Sequence, residues 1–283
     1  MNQDISICVL TENEMGWTEP FELDEVQILD TYYLAAQKSD IAFLKKMDTA
    51  RLLAGFRTTA GIDTKGVRPY GGWEDSLLGG HCVGHYLTAI AQAVKATGDE
   101  ELKEKSQVLI EGLEECQRKL GTGFLFGAKV EDKEDVEKQF DILEGKKKGE
   151  TWVPWYNMHK VLAGLIDTYK YTENETALLI AEKLGDWIYE RVSKWDLKTN
   201  QKVLETEYGG MNDCLYELYS YSHNKHHLEA AQKFDEKALF LMAAKGEKNC
   251  LDGKHANTQI PKFIGAIKRY NVLKQLGEAK QDD

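Results

Sequence analysis

Residues 159–192 read HKVLAGLIDTYKYTENETALLIAEKLGDWIYERV, and their pattern decides the fold. A helix that is apolar or small over most of its surface runs into the polar turn at Thr172–Asn174. A second helix follows, with Ile180, Leu184, Ile188 and Val192 in one stripe opposite Lys and Glu. A single stripe marks a half-exposed outer helix, whereas the helix before the turn has no wide polar face and must be buried. Asn174 is suited to cap the second helix, and Glu175 places negative charge in its first turn. The unit therefore predicts an α-hairpin with one inner and one outer arm.

The same unit recurs. One copy, HYLTAIAQAVKATGDEELKEKSQVLIEGLEECQ, starts at His85, and another, NDCLYELYSYSHNKHHLEAAQKFDEKALF, starts at Asn212. Asp99 and Asn224 are their caps, and Lys95 is the lone charge between His85 and Ala96. Outer stripes are formed by Leu102, Leu109, Leu113 and Cys116, and by Leu228, Ala231, Phe234 and Leu241. Strand signals are weak throughout. The pattern predicts an all-α protein, an irregular ring of helical hairpins in a single domain spanning 1–283. Extra length lies in 120–151, where GTGFLFG leads into KVEDKEDVEKQFDILEGKKKGE. That stretch reads as a long inter-hairpin loop with a solvated charge run, the kind of loop that carries function.

Composition narrows the partners. The 283 residues are 42% hydrophobic and 29% charged, with net charge −11 and pI near 5.3. A basic nucleic-acid face and adhesion to an anionic membrane are both excluded by that balance. Cys8, Cys82, Cys116, Cys214 and Cys250 are scattered singly, as reduced thiols are. The opening MNQDISICVL has no basic head of a signal peptide, so the expected location is cytoplasmic.

Polar residues recur where the buried helices begin: His85, His159 and Asn212, then His255 in HANTQIPK (255–262) ahead of a helix expected to start at Pro261. If the inner helices run parallel, these residues meet at one end of the ring together with free backbone amides. Trp73, Trp152, Trp155, Tyr156 and Tyr208 lie in the stretches leading in and offer flat apolar faces for sugar C–H surfaces. Histidine and amide side chains, among them Asn257 and Gln259, supply partners for hydroxyls. Glu74 and Glu207 adjoin the same stretches and are the carboxylates that could in principle form an acid/base pair. His81 and His85 stand four apart without the Glu of H-E-x-x-H, so no metal ligand is expected there. Cys82 and Cys214 read as small buried hydrophobes. Gly121-Thr-Gly123 lacks the strand and Lys-Ser/Thr of a phosphate loop, and Lys225-His226-His227 reads as solvated surface.

Four ordered motifs carry a resemblance: GGWEDSLLGGHCVGHYLTAIA (71–91), WVPWYNMHKVLAGLIDTY (152–169), EYGGMNDCLYELY (207–219) and HANTQIPKFIGA (255–266). The set is similar to the bacterial β-L-arabinofuranosidase family among the six-hairpin α/α-toroid glycosidases. PFELDEVQILD (20–30) and RLLAGFRTTAGI (51–62) resemble its entry segment, so the likeness spans nearly the whole chain. The resemblance implies an α/α toroid, of which about eight of twelve helices are expected here. It implies a glycosidase acting on an arabinose-containing oligosaccharide or glycan. His159 and His255 are the sugar-contacting residues carried over, with Trp73, His85, Trp155, Tyr156, Asn212, Asn257 and Gln259 beside them.

The family's nucleophilic cysteine, its acid/base Glu and its zinc motifs (Glu-x-Cys and a Cys-Cys pair) lie downstream of the fourth motif and have no counterpart here. No catalytic residue and no bound cofactor is therefore expected of this chain, although zinc is expected in full-length members. The chain reads as the substrate-binding half of the site, truncated at its C-terminal end. An open ring predicts self-association or a complementary C-terminal chain. The alternatives are an inactive sugar-binding or regulatory relative, and another α/α-toroid enzyme such as an epimerase or lyase.

Overall fold

A computed structural model describes residues 20–246 and 250–278. The amino-terminal stretch that bears on location, Cys8, and the tail after Glu278 fall outside the described residues. Among those described there are twelve α-helices, one 3-10 turn at Gly72–Asp75, and no strand. The helices are α1 (Thr31–Lys46), α2 (Thr49–Thr59), α3 (His81–Thr97), α4 (Glu100–Leu120), α5 (Lys138–Leu143) and α6 (Pro154–Thr172). They continue with α7 (Glu175–Val192), α8 (Leu197–Leu204), α9 (Met211–Ser222), α10 (Lys225–Lys233), α11 (Lys237–Ala244) and α12 (Ala256–Gln275).

Caps set the hairpins. The side chains of Asp99, Asn174 and Asn224 accept from the amides of Leu102, Ala177 and His226 at 3.0–3.1 Å, so each outer helix starts where the turn chemistry places it. α2, α4, α7 and α10 pack in sequence as an outer layer, and α1, α3, α6, α9 and α12 as an inner one. Nine helices thus form the two layers, one more than the sequence suggested, and α5, α8 and α11 are short pieces in the connections.

Four of the inner helices, α3, α6, α9 and α12, run parallel, and glycines let α3 and α6 touch. A Cβ at Gly84 would lie 1.9 Å from the carbonyl oxygen of Lys160, and one at Gly164 would lie 2.5 Å from that of Gly84. Below this crossing Thr88 bonds Asp167 at 2.7 Å; above it the His81 and Tyr156 rings are 6.3 Å apart. α9 and α12 are matched in the same sense: Asn212 bonds the Lys262 carbonyl at 3.2 Å, and Lys268 pairs with Glu217 further along. Parallel packing gathers four helix N-termini at one end.

Two expectations are corrected here. α12 starts at Ala256, not Pro261: the amides of Thr258 and Gln259 already bond to the His255 carbonyl at 3.0 and 3.2 Å, and the proline removes a single later bond. Residues 120–151 are also more than a solvated loop. Phe124, Phe126 and Phe140 are buried with Trp155, Trp187, Trp195 and Phe234 in an aromatic core whose neighbouring rings lie 4.7–6.1 Å apart. α5 carries the charges that close it: Arg191 reaches Glu137, Asp141 and Glu144 at 2.5–2.9 Å. The alternation of charged and apolar residues hid this, because the apolar partners come from α6, α7 and α10.

Candidate functional site

The loop 71–80 is built to present the start of α3. Gly80 has φ +91°, and a Cβ there would lie 2.8 Å from Gly127 Cα, so segment 120–151 braces the loop from behind. Lys129 adds a backbone bond to the Ser76 carbonyl at 3.1 Å. Glu74, buried in the 3-10 turn, accepts from the Gly80 amide at 2.9 Å and from the Cys82 amide at 3.2 Å. Its carboxylate thereby does the capping work that no side chain at Gly80 can do.

The same carboxylate lies 2.8 Å from His81 Nδ1, which is also 2.8 Å from the Leu78 carbonyl oxygen. His81 Nε2, on the other side of the ring, is 3.8 Å from Cys82 Sγ. Burial alone would lower the pKa of His81, but the Cys82 thiol and the Glu74 carboxylate outweigh it and raise it to about 10. The imidazole also reduces the pKa of Glu74 against the opposing effect of burial. The ring is therefore pinned between carboxylate and sulfur.

Three further inner helices, α6, α9 and α12, complete the site. Tyr156, on α6, is 6.3 Å from the His81 ring and lies close to the side chain of Asn257 in the first turn of α12. Asn257 also donates to Glu207 at 3.2 Å, just before α9. Lys160 places its ammonium 4.9 Å from the centre of the Tyr156 ring, and burial lowers its pKa. Asp213, in the first turn of α9, has its pKa raised by burial. His85 keeps an exposed face, yet partial desolvation holds it toward its neutral form, with the nearby Lys160 charge acting in the same direction.

Of the residues singled out from sequence, the structure brings Trp73, Glu74, His85, Tyr156, His159, Glu207 and Asn257 to this end of the ring. Trp73 is 67% exposed, with its ring 6.3 Å from that of His81. His159 is buried; its Nδ1 accepts from the Gly210 amide at 3.0 Å, and burial holds it well below its ordinary pKa. It shapes the α9 entry instead of projecting into open space. His255 is exposed at the N-cap of α12 and makes no side-chain capping bond.

Three others are placed differently. Trp155 is 1% exposed and belongs to the aromatic core, because the residue after Pro154 faces inward toward Phe140 and Phe234. Asn212 is fully buried and clamps α12 to α9 through Asp235 and the Lys262 carbonyl. Gln259 is buried, and its Oε1 has no hydrogen-bond partner among the described residues. Lys160 and Asp213 were overlooked, although a charge in the first turns of an inner helix is itself a signal. Glu74, His81 and Cys82 form a grouping that was also overlooked: their ligand atoms lie within 4.8 Å of one another. Six residues lie between Glu74 and His81, and the 3-10 turn closes that gap.

A groove of about 780 Å³ lies elsewhere, bordered by Leu197 and Leu204 of α8, Glu229 of α10 and Glu236. It contains none of the motif residues gathered at the helix N-termini.

A family model described as β-L-arabinofuranosidase, GH127 catalytic domain, matches residues 25–281. The chain belongs to this family. GH127 membership agrees with the fold likeness to Ara127N-Se, a GH127 β-L-arabinofuranosidase from Geobacillus stearothermophilus T6. That match has a TM-score of 0.55 at 15% identity and covers 89% of this chain and 42% of the other. At that identity it speaks for the fold alone, and the chain spans under half the length of that GH127 enzyme. No curated protein matches the chain. Among the described residues, no helix is long and apolar enough to cross a membrane.

Proposed function

We propose that this chain forms the substrate-binding part of a glycoside hydrolase that acts on β-L-arabinofuranose-containing glycans. The family match over 25–281 carries the reading. The clustered N-termini of α3, α6, α9 and α12 support it, because they offer what a furanoside needs. Trp73 supplies an exposed flat face for ring C–H groups, and Tyr156, Glu207 and Asn257 an adjacent set of hydrogen-bonding groups for hydroxyls. His85 and His255 stand exposed at its rim. His159 acts through Gly210, fixing the wall formed by residues 207–210. The nucleophile and acid/base of the reaction come from outside these motifs.

The α12 surface supports a second part of the proposal, association with another copy or another helical chain. Ile260, Ile264 and Ile267 are 57, 49 and 64% exposed on one face of that helix. An apolar stripe on the side away from the core is the pattern of a covered surface.

Saturation-transfer NMR with methyl β-L-arabinofuranoside tests the sugar reading. Transfer to the furanoside, diminished by Trp73→Ala and by Asn257→Ala, is expected. No transfer at millimolar sugar, or transfer unaffected by both variants, would remove the proposal.

A further inference from the structure

We propose that His81 and Cys82, backed by Glu74, form a site for a soft divalent cation of the zinc type at the N-terminus of α3. The inference comes from donor chemistry and spacing. A thiolate and an imidazole nitrogen are donors that zinc takes, with a carboxylate oxygen also within 4.8 Å to support them, and neither calcium nor magnesium prefers sulfur. It does not coincide with the Glu-x-Cys and Cys-Cys motifs through which the resemblance assigns zinc.

Distances assign the roles. Ligands at about 2.0 Å for nitrogen and 2.3 Å for sulfur on a tetrahedral ion stand roughly 3.6 Å apart. His81 Nε2 and Cys82 Sγ are 3.8 Å apart, so an ion can enter between them with a shift of a few tenths of an ångström. Glu74 lies on the opposite ring nitrogen, 2.8 Å from Nδ1. That is the arrangement in which a carboxylate holds a ligating histidine, fixing its tautomer and leaving Nε2 free to bind. On binding, the Cys82 thiol would release its proton to solvent and the sulfur would ligate as thiolate.

A helix N-terminus ordinarily repels a cation. Here two amides at that terminus, those of Gly80 and Cys82, already point at the Glu74 carboxylate, which offsets the repulsion. The Trp73 and Tyr156 rings each lie 6.3 Å from that of His81, and the remaining coordination positions would take water or a sugar hydroxyl. An ion there would polarise a bound hydroxyl. The site does not depend on the sugar proposal, since its test contains no sugar.

The test titrates the chelator-treated chain with Co²⁺ and, separately, with Zn²⁺ by calorimetry. We expect about one ion per chain and a near-ultraviolet thiolate-to-cobalt band. Cys82→Ser, a near-isosteric change, abolishes the band. Glu74→Gln weakens Zn²⁺ binding by about 10–100-fold, the usual effect of removing such a partner. Cys250→Ser, far along the chain from Cys82, leaves both readouts unchanged, and circular dichroism confirms that each variant is folded. Three results would overturn the proposal: no ion uptake by the parent chain, Co²⁺ binding without the sulfur band, or equal Zn²⁺ affinity in Cys82→Ser. Rapid, His81-dependent alkylation of Cys82 in a chain that takes up no ion would identify a bare thiol–imidazole pair instead.

Discussion

His159 shows how a motif residue can serve a site without facing it. Its Nδ1 accepts the Gly210 amide at 3.0 Å, so the ring must stay neutral there, and burial depresses its pKa well below 6.5. The unfolded chain binds a proton near pH 6.5 that the folded chain refuses, so stability present above that pH declines as pH falls toward the depressed folded value. The denaturant midpoint should drop between about pH 8 and about pH 5.5, and His159→Gln should reduce that drop. Tryptophans offer a second residue-scale contrast. Trp155→Ala is expected to cost about 3–5 kcal/mol of stability through the cavity it leaves. Trp73→Ala should change stability by less than about 0.5 kcal/mol while lowering sugar affinity. Chemical denaturation of both variants, beside the NMR titration, checks the contrast, and a stable Trp155→Ala would refute the core placement.

At the scale of elements, the site depends on the crossing of α3 and α6. Gly84 meets the Lys160 carbonyl, and neither backbone can yield as a flexible side chain would. Gly84→Ala should therefore cost at least about 1–3 kcal/mol, the range for overpacked cores, and separate His81 from Tyr156. The denaturant midpoint reads the first effect, and a weakened furanoside signal in the folded fraction reads the second. Arg191 is the corresponding pin for 120–151. Removing it by Arg191→Ala leaves Glu137, Asp141 and Glu144 without their shared guanidinium, an expected loss of about 3–5 kcal/mol. Limited proteolysis should then cut first between α4 and α6, and a cleavage pattern like the parent's would count against the bracing role.

For the whole molecule, the two-layer order leaves α12 at one edge with Ile260, Ile264 and Ile267 outward. Sedimentation should show concentration-dependent association, shifted toward the single chain by Ile264→Lys. A parent chain that sediments as one species at every concentration would remove the association proposal. The acidic surface, with net charge −11, opposes that association at low salt, so added salt should strengthen it.

Helix type, hairpin caps and the parallel gathering of polar residues were legible in the sequence. Each rests on local periodicity or on a side chain bonding its own helix, as Asp99, Asn174 and Asn224 do. The four ordered motifs likewise named the family before any coordinates. What local pattern cannot carry is which face of a residue meets a partner distant in sequence. Trp155 and Tyr156 are neighbours in one motif, yet one enters the aromatic core and the other meets Asn257, because 120–151 folds back to cover the first. Asn212 was assigned to substrate by position and is taken by Asp235 and Lys262. The joining of Glu74, His81 and Cys82 needed the tertiary structure too, since it depends on a glycine-rich turn pressed against Gly127. Local bonding determined the elements; contacts across the chain decided which side chains remained for chemistry.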